Sequence, residues 1–89
     1  MAKILIIDDD KDIAELVSLI LRKEKIESDI ITDSIEALKV LETGNYNYDL
    51  ILLDIMMPNI SGTELCIKVR DKVSCPIVFL LFGVMVINL

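Results

Sequence analysis

YDLILLDIMMP, residues 48–58, is the stretch on which the reading of this chain turns. Its apolar centre, residues 50–53, is continuous rather than alternating, which is how a strand buried on both faces of a parallel sheet reads. The predicted strand covers residues 48–53. Asp54 follows it at once, and Pro58, Asn59, Ser61 and Gly62 then mark a loop. The amino terminus repeats this construction. Residues 3–7, KILII, form a second short apolar run rich in branched side chains, and Asp8, Asp9 and Asp10 end it. Two buried strands therefore stop on carboxylates.

Working outward, Ile13, Leu16, Val17, Ile20 and Leu21 recur at helical spacing and predict an amphipathic helix over 11–23. Residues 28–32 read as a further short strand. Asp33 and Glu36 stand at capping-box spacing and open a helix through residue 42, which Gly44 and Asn45 stop. Ser61 and Glu64 repeat that spacing for a helix running to residue 72, and Pro76 introduces a strand over 77–81. The order β-α-β-α-β-α-β predicts an α/β fold, with parallel strands joined by helical crossovers. No repeat, low-complexity stretch or linker interrupts it.

Composition narrows the function classes. Eighty-nine residues suffice for one domain. A net charge of −6 argues against nucleic acid or an anionic membrane surface as direct partner, and the nine Lys and Arg residues are scattered. The apolar run at residues 4–7 is too short for a signal peptide or an anchor, so a cytoplasmic protein with reduced Cys66 and Cys75 is expected. Their spacing fits no zinc pattern. With no histidine in the chain, any phosphohistidine must belong to another molecule. The end of the chain, IVFLLFGVMVINL (residues 77–89), carries no charge and is too short to span a bilayer.

In an open α/β sheet, ligands bind beyond the carboxyl ends of the strands, where the strand order reverses. With order 2-1-3-4, the first and third strands are neighbours at that point, and Asp8, Asp9 and Asp54 crowd together. Like charges so close require a cation or a retained proton. A hard divalent ion such as Mg²⁺ suits a site of few carboxylates. A carboxylate held there acts as a nucleophile toward phosphorus. Asp10 alone reads as a helix N-cap.

IDDD after the first strand, LILLDIMMP after the third, the later SG and CPIVFL together resemble the receiver domain of a bacterial two-component response regulator, over residues 2–80. The resemblance implies a flavodoxin-like, doubly wound sheet. It makes Asp54 the phosphoacceptor and a histidine kinase the phosphodonor. It gives Mg²⁺ to Asp8, Asp9, Asp54 and the backbone carbonyl of Met56, while Met57 packs in the core. Pro58 and Gly62 shape the loop beside the acceptor. Such a chain is not an enzyme, beyond slow self-phosphorylation from small phosphodonors. A haloacid-type phosphatase would need an aspartate where Met56 stands.

Two expected groups are absent from the pattern. The Ser or Thr hydroxyl that ends the fourth strand in such receivers falls on Leu81, and the chain stops before the lysine that ends their fifth strand. The expectation is a truncated receiver over 1–82, without the fifth strand and last two helices, followed by a non-family apolar tail over 83–89. It would bind Mg²⁺ and accept phosphate but switch poorly. The alternatives are an interaction protein that docks a kinase without signalling, or a remnant with no role. For the tail, strand four continuing into a homodimer is favoured over a turn near Phe82-Gly83 that folds residues 84–89 back on strand four.

Overall fold

A computed structural model of the chain describes residues 2–81 and 84–88. The elements run β1 (Lys3–Ile7), α1 (Lys11–Lys23), β2 (Glu27–Ile31), α2 (Ser34–Thr43), β3 (Leu50–Asp54), α3 (Gly62–Val69), β4 (Ile77–Leu81) and β5 (Val84–Asn88). They form one five-stranded sheet of order β2-β1-β3-β4-β5. The first four strands are parallel, in the 2-1-3-4 order expected.

Period-two alternation in the apolar strands divides the core into two layers. Ile4 and Ile6 of β1, with Leu52 and Val78, face α1 and pack on Ala14, Val17 and Leu21. Leu5 and Ile7, with Ile51, Leu53, Ile77 and Phe79, face α2 and α3 and pack on Ala37, Leu41, Leu65 and Val69. Both sides of the central strands are therefore covered, which is why their sequences are continuous apolar runs.

The helix starts follow the predicted caps. Asp10 Oδ1 accepts from the N–H groups of Asp12 and Ile13, Asp33 Oδ1 from that of Ile35, and Ser61 Oγ from that of Glu64. Gly44 ends α2 at φ 65°, the left-handed conformation glycine adopts without strain. Boundaries differ from the sequence reading: β2 spans Glu27–Ile31 rather than 28–32, and β3 begins at Leu50 rather than residue 48. Asp54 is the last residue of β3 rather than the first after it, because Ile55 N–H still donates to Leu80 O of β4. Helix α3 stops at Val69 instead of residue 72, where Lys72 and Val73 N–H close a turn on the Val69 carbonyl.

The carboxy-terminal segment corrects the favoured arrangement of the tail. Strand β4 does not run on through it. Residues 84–88 return as β5, antiparallel to β4, with Leu81 opposite Val84 and Ile77 opposite Asn88. The turn expected near Phe82-Gly83 itself lies outside the described residues. The physical reason favours the fold-back: one chain pairs the free edge of β4 locally, without the translational entropy that a second copy would cost. The sheet edge is thereby moved from β4 to β5.

Gly62 shows how tightly the loop after β3 closes. A Cβ there would stand 2.2 Å from the Asp54 carbonyl oxygen, and the Gly62 N–H donates to Ile55 O at 2.8 Å. Gly62→Ala must therefore move main chain, an overpacking cost of about 1–3 kcal/mol. Urea denaturation is expected to show a lower midpoint at unchanged slope.

Candidate metal and phosphoryl site

The site is built by strand register. β1 and β3 pair in parallel with Ile7 opposite Leu53, so the next residues, Asp8 and Asp54, stand side by side at the carboxyl end of the sheet. Asp8 N–H donates to Ile31 O of β2 at 3.2 Å, which extends the pairing past the end of β1 and buries Asp8 to 4% exposure. Asp9 follows, exposed, in the connection to α1. Asp10 caps the helix and takes no place in the cluster, as its sequence context predicted.

Each of Asp8, Asp9 and Asp54 offers a carboxylate oxygen, and these atoms lie within 4.8 Å of one another. Two main-chain donors orient them. Asp10 N–H donates to Asp8 Oδ1 at 2.9 Å, and Met56 N–H donates to Asp54 Oδ1 at 3.2 Å. Burial first, then the charge of Asp8 and a hydrogen bond with the Asp9 side chain, push the Asp54 carboxyl from its ordinary 3.8 up to about 7. The Met56 N–H pulls the other way without winning. Burial and the neighbouring acidic groups thus disfavour the ionised form of Asp54.

This donor set fits a small hard cation. Ligand oxygens around Mg²⁺ stand about 2.9–4.1 Å apart when each is at the usual bond length, so the observed cluster needs only slight contraction. Among the described residues, the ion pairs are Lys3–Asp29 and Lys11–Glu15, and neither reaches the cluster. Among the described residues, no Lys or Arg stands within ion-pair distance of the nearly buried Asp8. That deficit is what a divalent ion would supply.

The remaining expected residues fall as follows. Met56 exposes its side chain (70%) and turns its main chain to the Asp54 carboxylate. Met57 is partly buried on the α2/α3 side of the core. Asp54 pairs in register with Leu80 of β4, and Leu81 ends that strand, so neither position offers a hydroxyl. Pro58 and Ser61 help line a cavity of about 510 Å³ with Ile55, Met56, Met57 and Thr63, beside the acidic cluster. A cavity of about 550 Å³ lies at the opposite end of the sheet, among Lys3, Ser18, Arg22 and Asp29. It holds none of the clustered carboxylates, and the basic residues there complement the carboxyl end of α1.

Sequence reasoning missed Ser34. Its side chain is buried, donates to Pro58 O at 2.9 Å and accepts from Ile60 N–H at 3.3 Å. A serine after an N-cap aspartate is ordinary helix-start composition. Nothing in the local pattern reveals a partner 24 residues away. No helix among the described residues is long and apolar enough to cross a membrane.

Comparison with known proteins agrees with this geometry. The response regulator receiver domain family matches residues 4–82. The chain is 49% identical over 80 residues to the transcriptional regulatory protein SpaR of Bacillus subtilis, covering 90% of this chain and 35% of SpaR. It is 44% identical over 77 residues to the nisin biosynthesis regulatory protein NisR of Lactococcus lactis, covering 86% and 33%. The chain thus spans about a third of the length of these curated relatives. Among solved structures, the response regulator TrrA of Thermotoga maritima in complex with Mg²⁺-BeF is 41% identical, with a TM-score of 0.77 over 86% of this chain and 66% of that one. TrrA bound to the histidine kinase ThkA is 40% identical, again at 0.77, over 89% and 67%. With the match running from residue 4 to residue 82, through both strand ends that carry the carboxylates, the chain belongs to the response regulator receiver domain family.

Proposed function

We propose that this chain is a phosphoacceptor module of a two-component phosphorelay, with Asp54 receiving the phosphoryl group. The observation that carries the reading is the convergence of Asp8, Asp9 and Asp54 at one strand-end site, without a balancing lysine or arginine among the described residues. Asp8, Asp9 and Asp54 would hold Mg²⁺ together with the Met56 carbonyl. The bound ion would neutralise phosphoryl oxygens and lower the cost of gathering negative charge.

The chain's own residues supply the rest. Met56 N–H engages Asp54 Oδ1, leaving Oδ2 as the attacking oxygen. In the transfer, Asp54 Oδ2 forms a bond to phosphorus while the bond from phosphorus to the donor's imidazole nitrogen breaks. The electron pair leaves with the imidazole, which takes up a proton. A phosphohistidine donor must come from another molecule, since the chain has no histidine of its own, and a histidine kinase is that donor in this reading. The solved complex of ThkA with TrrA supports that partner class, and the Mg²⁺-BeF complex of TrrA supports the metal. With leucines at 80 and 81, the transferred group lacks a side-chain hydroxyl from β4, so transfer is slower and switching weaker than in a receiver with one.

A second reading has its own observation. Helix α1 exposes Ile13, Leu16, Leu19 and Ile20 at 45–54%. Such an apolar flank beside the acidic site supports docking to a kinase, which would let the chain compete with other receivers even without phosphorylation. The two readings separate on Asp54→Asn. As a phosphoacceptor, the wild-type protein incubated with Mg²⁺ and a small phosphodonor gains one phosphate by intact mass, and Asp54→Asn gains none. A wild-type protein that gains no phosphate would rule out the phosphoacceptor reading and leave docking or no retained role.

Metal binding carries a pH signature. Asp54 holds a proton up to about pH 7, and that proton competes with the ion. Mg²⁺ affinity is expected to fall about tenfold per pH unit below about 7, where one proton must be displaced. Calorimetric titration at several pH values reads this directly, and Asp9→Ala should weaken binding at all of them. Stability without metal runs the other way. The folded state holds the Asp54 proton more tightly than the unfolded chain, so the associated stability is full below pH 3.8 and lost as pH rises through about 7. Relative to Asp54→Asn, the metal-free protein should lose stability across that window, and saturating Mg²⁺ should cancel the loss.

A further inference from the structure

The loop between β3 and α3 is pinned at three places. At its start, Met56 N–H donates to Asp54 Oδ1 at 3.2 Å. At its end, Gly62 N–H donates to Ile55 O at 2.8 Å. Between them the chain makes a tight three-residue turn, in which Ile60 N–H donates to Pro58 O at 2.9 Å across Asn59. Asn59 has φ 70°, a left-handed conformation that costs a side-chain-bearing residue energy, although asparagine tolerates it better than most.

The third pin comes from another element. Ser34, the first residue of α2, reaches across 24 residues of sequence and engages both ends of that turn at once. Its hydroxyl donates to Pro58 O at 2.9 Å and accepts from Ile60 N–H at 3.3 Å. Ser34 is 3% exposed and Ile60 8%, so water is poorly placed to replace either bond. Asp33 already serves as the N-cap of α2, so the Ser34 hydroxyl is not needed to start the helix.

We propose that Ser34 is a positioning residue for the acidic site: its hydroxyl holds the Pro58–Ile60 turn closed and thereby fixes the main chain of Met56 beside Asp54. This rests on the reading of Met56 and the three aspartates as the Mg²⁺ site. A single residue, Met57, separates Met56 from the turn at Pro58, so release of the turn is transmitted to Met56 with little slack. The loop then samples conformations in which Met56 no longer faces Asp54, and the cation is held by the three carboxylates alone.

The test uses Ser34→Ala and Ser34→Cys, the latter keeping the buried volume while weakening both hydrogen bonds. Amide hydrogen exchange at Ile60 reports the turn, and Mg²⁺ titration of the full chain reports the site. Both variants are expected to exchange Ile60 at least tenfold faster and to bind Mg²⁺ about fivefold or more weakly. Leu41→Val, a buried change in the same helix, is the control for lost stability and should leave Mg²⁺ affinity within twofold. In an Asn59→Val background the turn is already disfavoured, so Ser34→Ala should add little further loss. Folded Ser34 variants that bind Mg²⁺ as the wild type does, or a loss fully additive with Asn59→Val, would overturn the proposal. A wild-type protein with no Mg²⁺ affinity would sink the metal-site reading itself and the role of Ser34 with it. Ser34→Cys preserves the comparison if Ser34→Ala does not fold.

Discussion

Two parallel strands in one register bring carboxylates together that repel each other, and the chemistry of this protein follows from that constraint. β1 and β3 are locked side by side by buried branched side chains, with Ile7 opposite Leu53. The positions just beyond are then side by side as a matter of geometry, and both are aspartates. The strands cannot slip to relieve the repulsion, because a one-residue shift would turn Ile4 and Ile6 and Leu5 and Ile7 to the wrong layers. Hydrophobic packing thus holds the charges in an unfavourable arrangement, and a proton or a cation relieves it. The raised pKa of Asp54 reflects its burial first and the neighbouring charge of Asp8 second.

The surroundings of the cluster hold it in place without neutralising it. Main-chain N–H groups from Asp10 and Met56 each engage one carboxylate oxygen and leave others open. Gly62 lets the loop fold back until its N–H meets Ile55 O, an approach that any Cβ would block. Ser34 anchors the same loop from α2. The result is a site defined on one side by two strand ends and on the other by a short, closed loop. Such rigidity suits a small ion with strict coordination demands better than it suits a flexible ligand.

The far edge of the sheet is organised differently. β4 is an interior strand because β5 returns antiparallel beside it. No helical crossover separates them, and the layer opposite α2 and α3 is served by α1. Helix α1 buries Ala14 completely but leaves Ile13, Leu16, Leu19 and Ile20 substantially exposed. Its six larger apolar positions are Ile13, Leu16, Val17, Leu19, Ile20 and Leu21. The sheet selects Val17 and Leu21 for the core and turns the rest outward.

Local pattern was sufficient wherever the physics is local. The continuous apolar runs of β1 and β3 announced strands covered on both faces. The capping residues Asp10, Asp33 and Ser61 stood where their hydrogen bonds are found, and three aspartates were marked by their place after buried strands. Long-range geometry decided the remainder. That Asp54 closes β3 depends on a hydrogen bond to β4, and that the last strand folds back depends on which edge it can reach. Ser34 is the plainest case, an ordinary helix-start serine whose partners are 24 and 26 residues away. Sequence alone determined the strands, the helix starts and the acidic residues, because periodicity and capping are properties of neighbouring residues. Only the tertiary structure decided the proton on Asp54, the closure of its loop and the partner of β4, because each is a contact between segments that share no sequence neighbourhood.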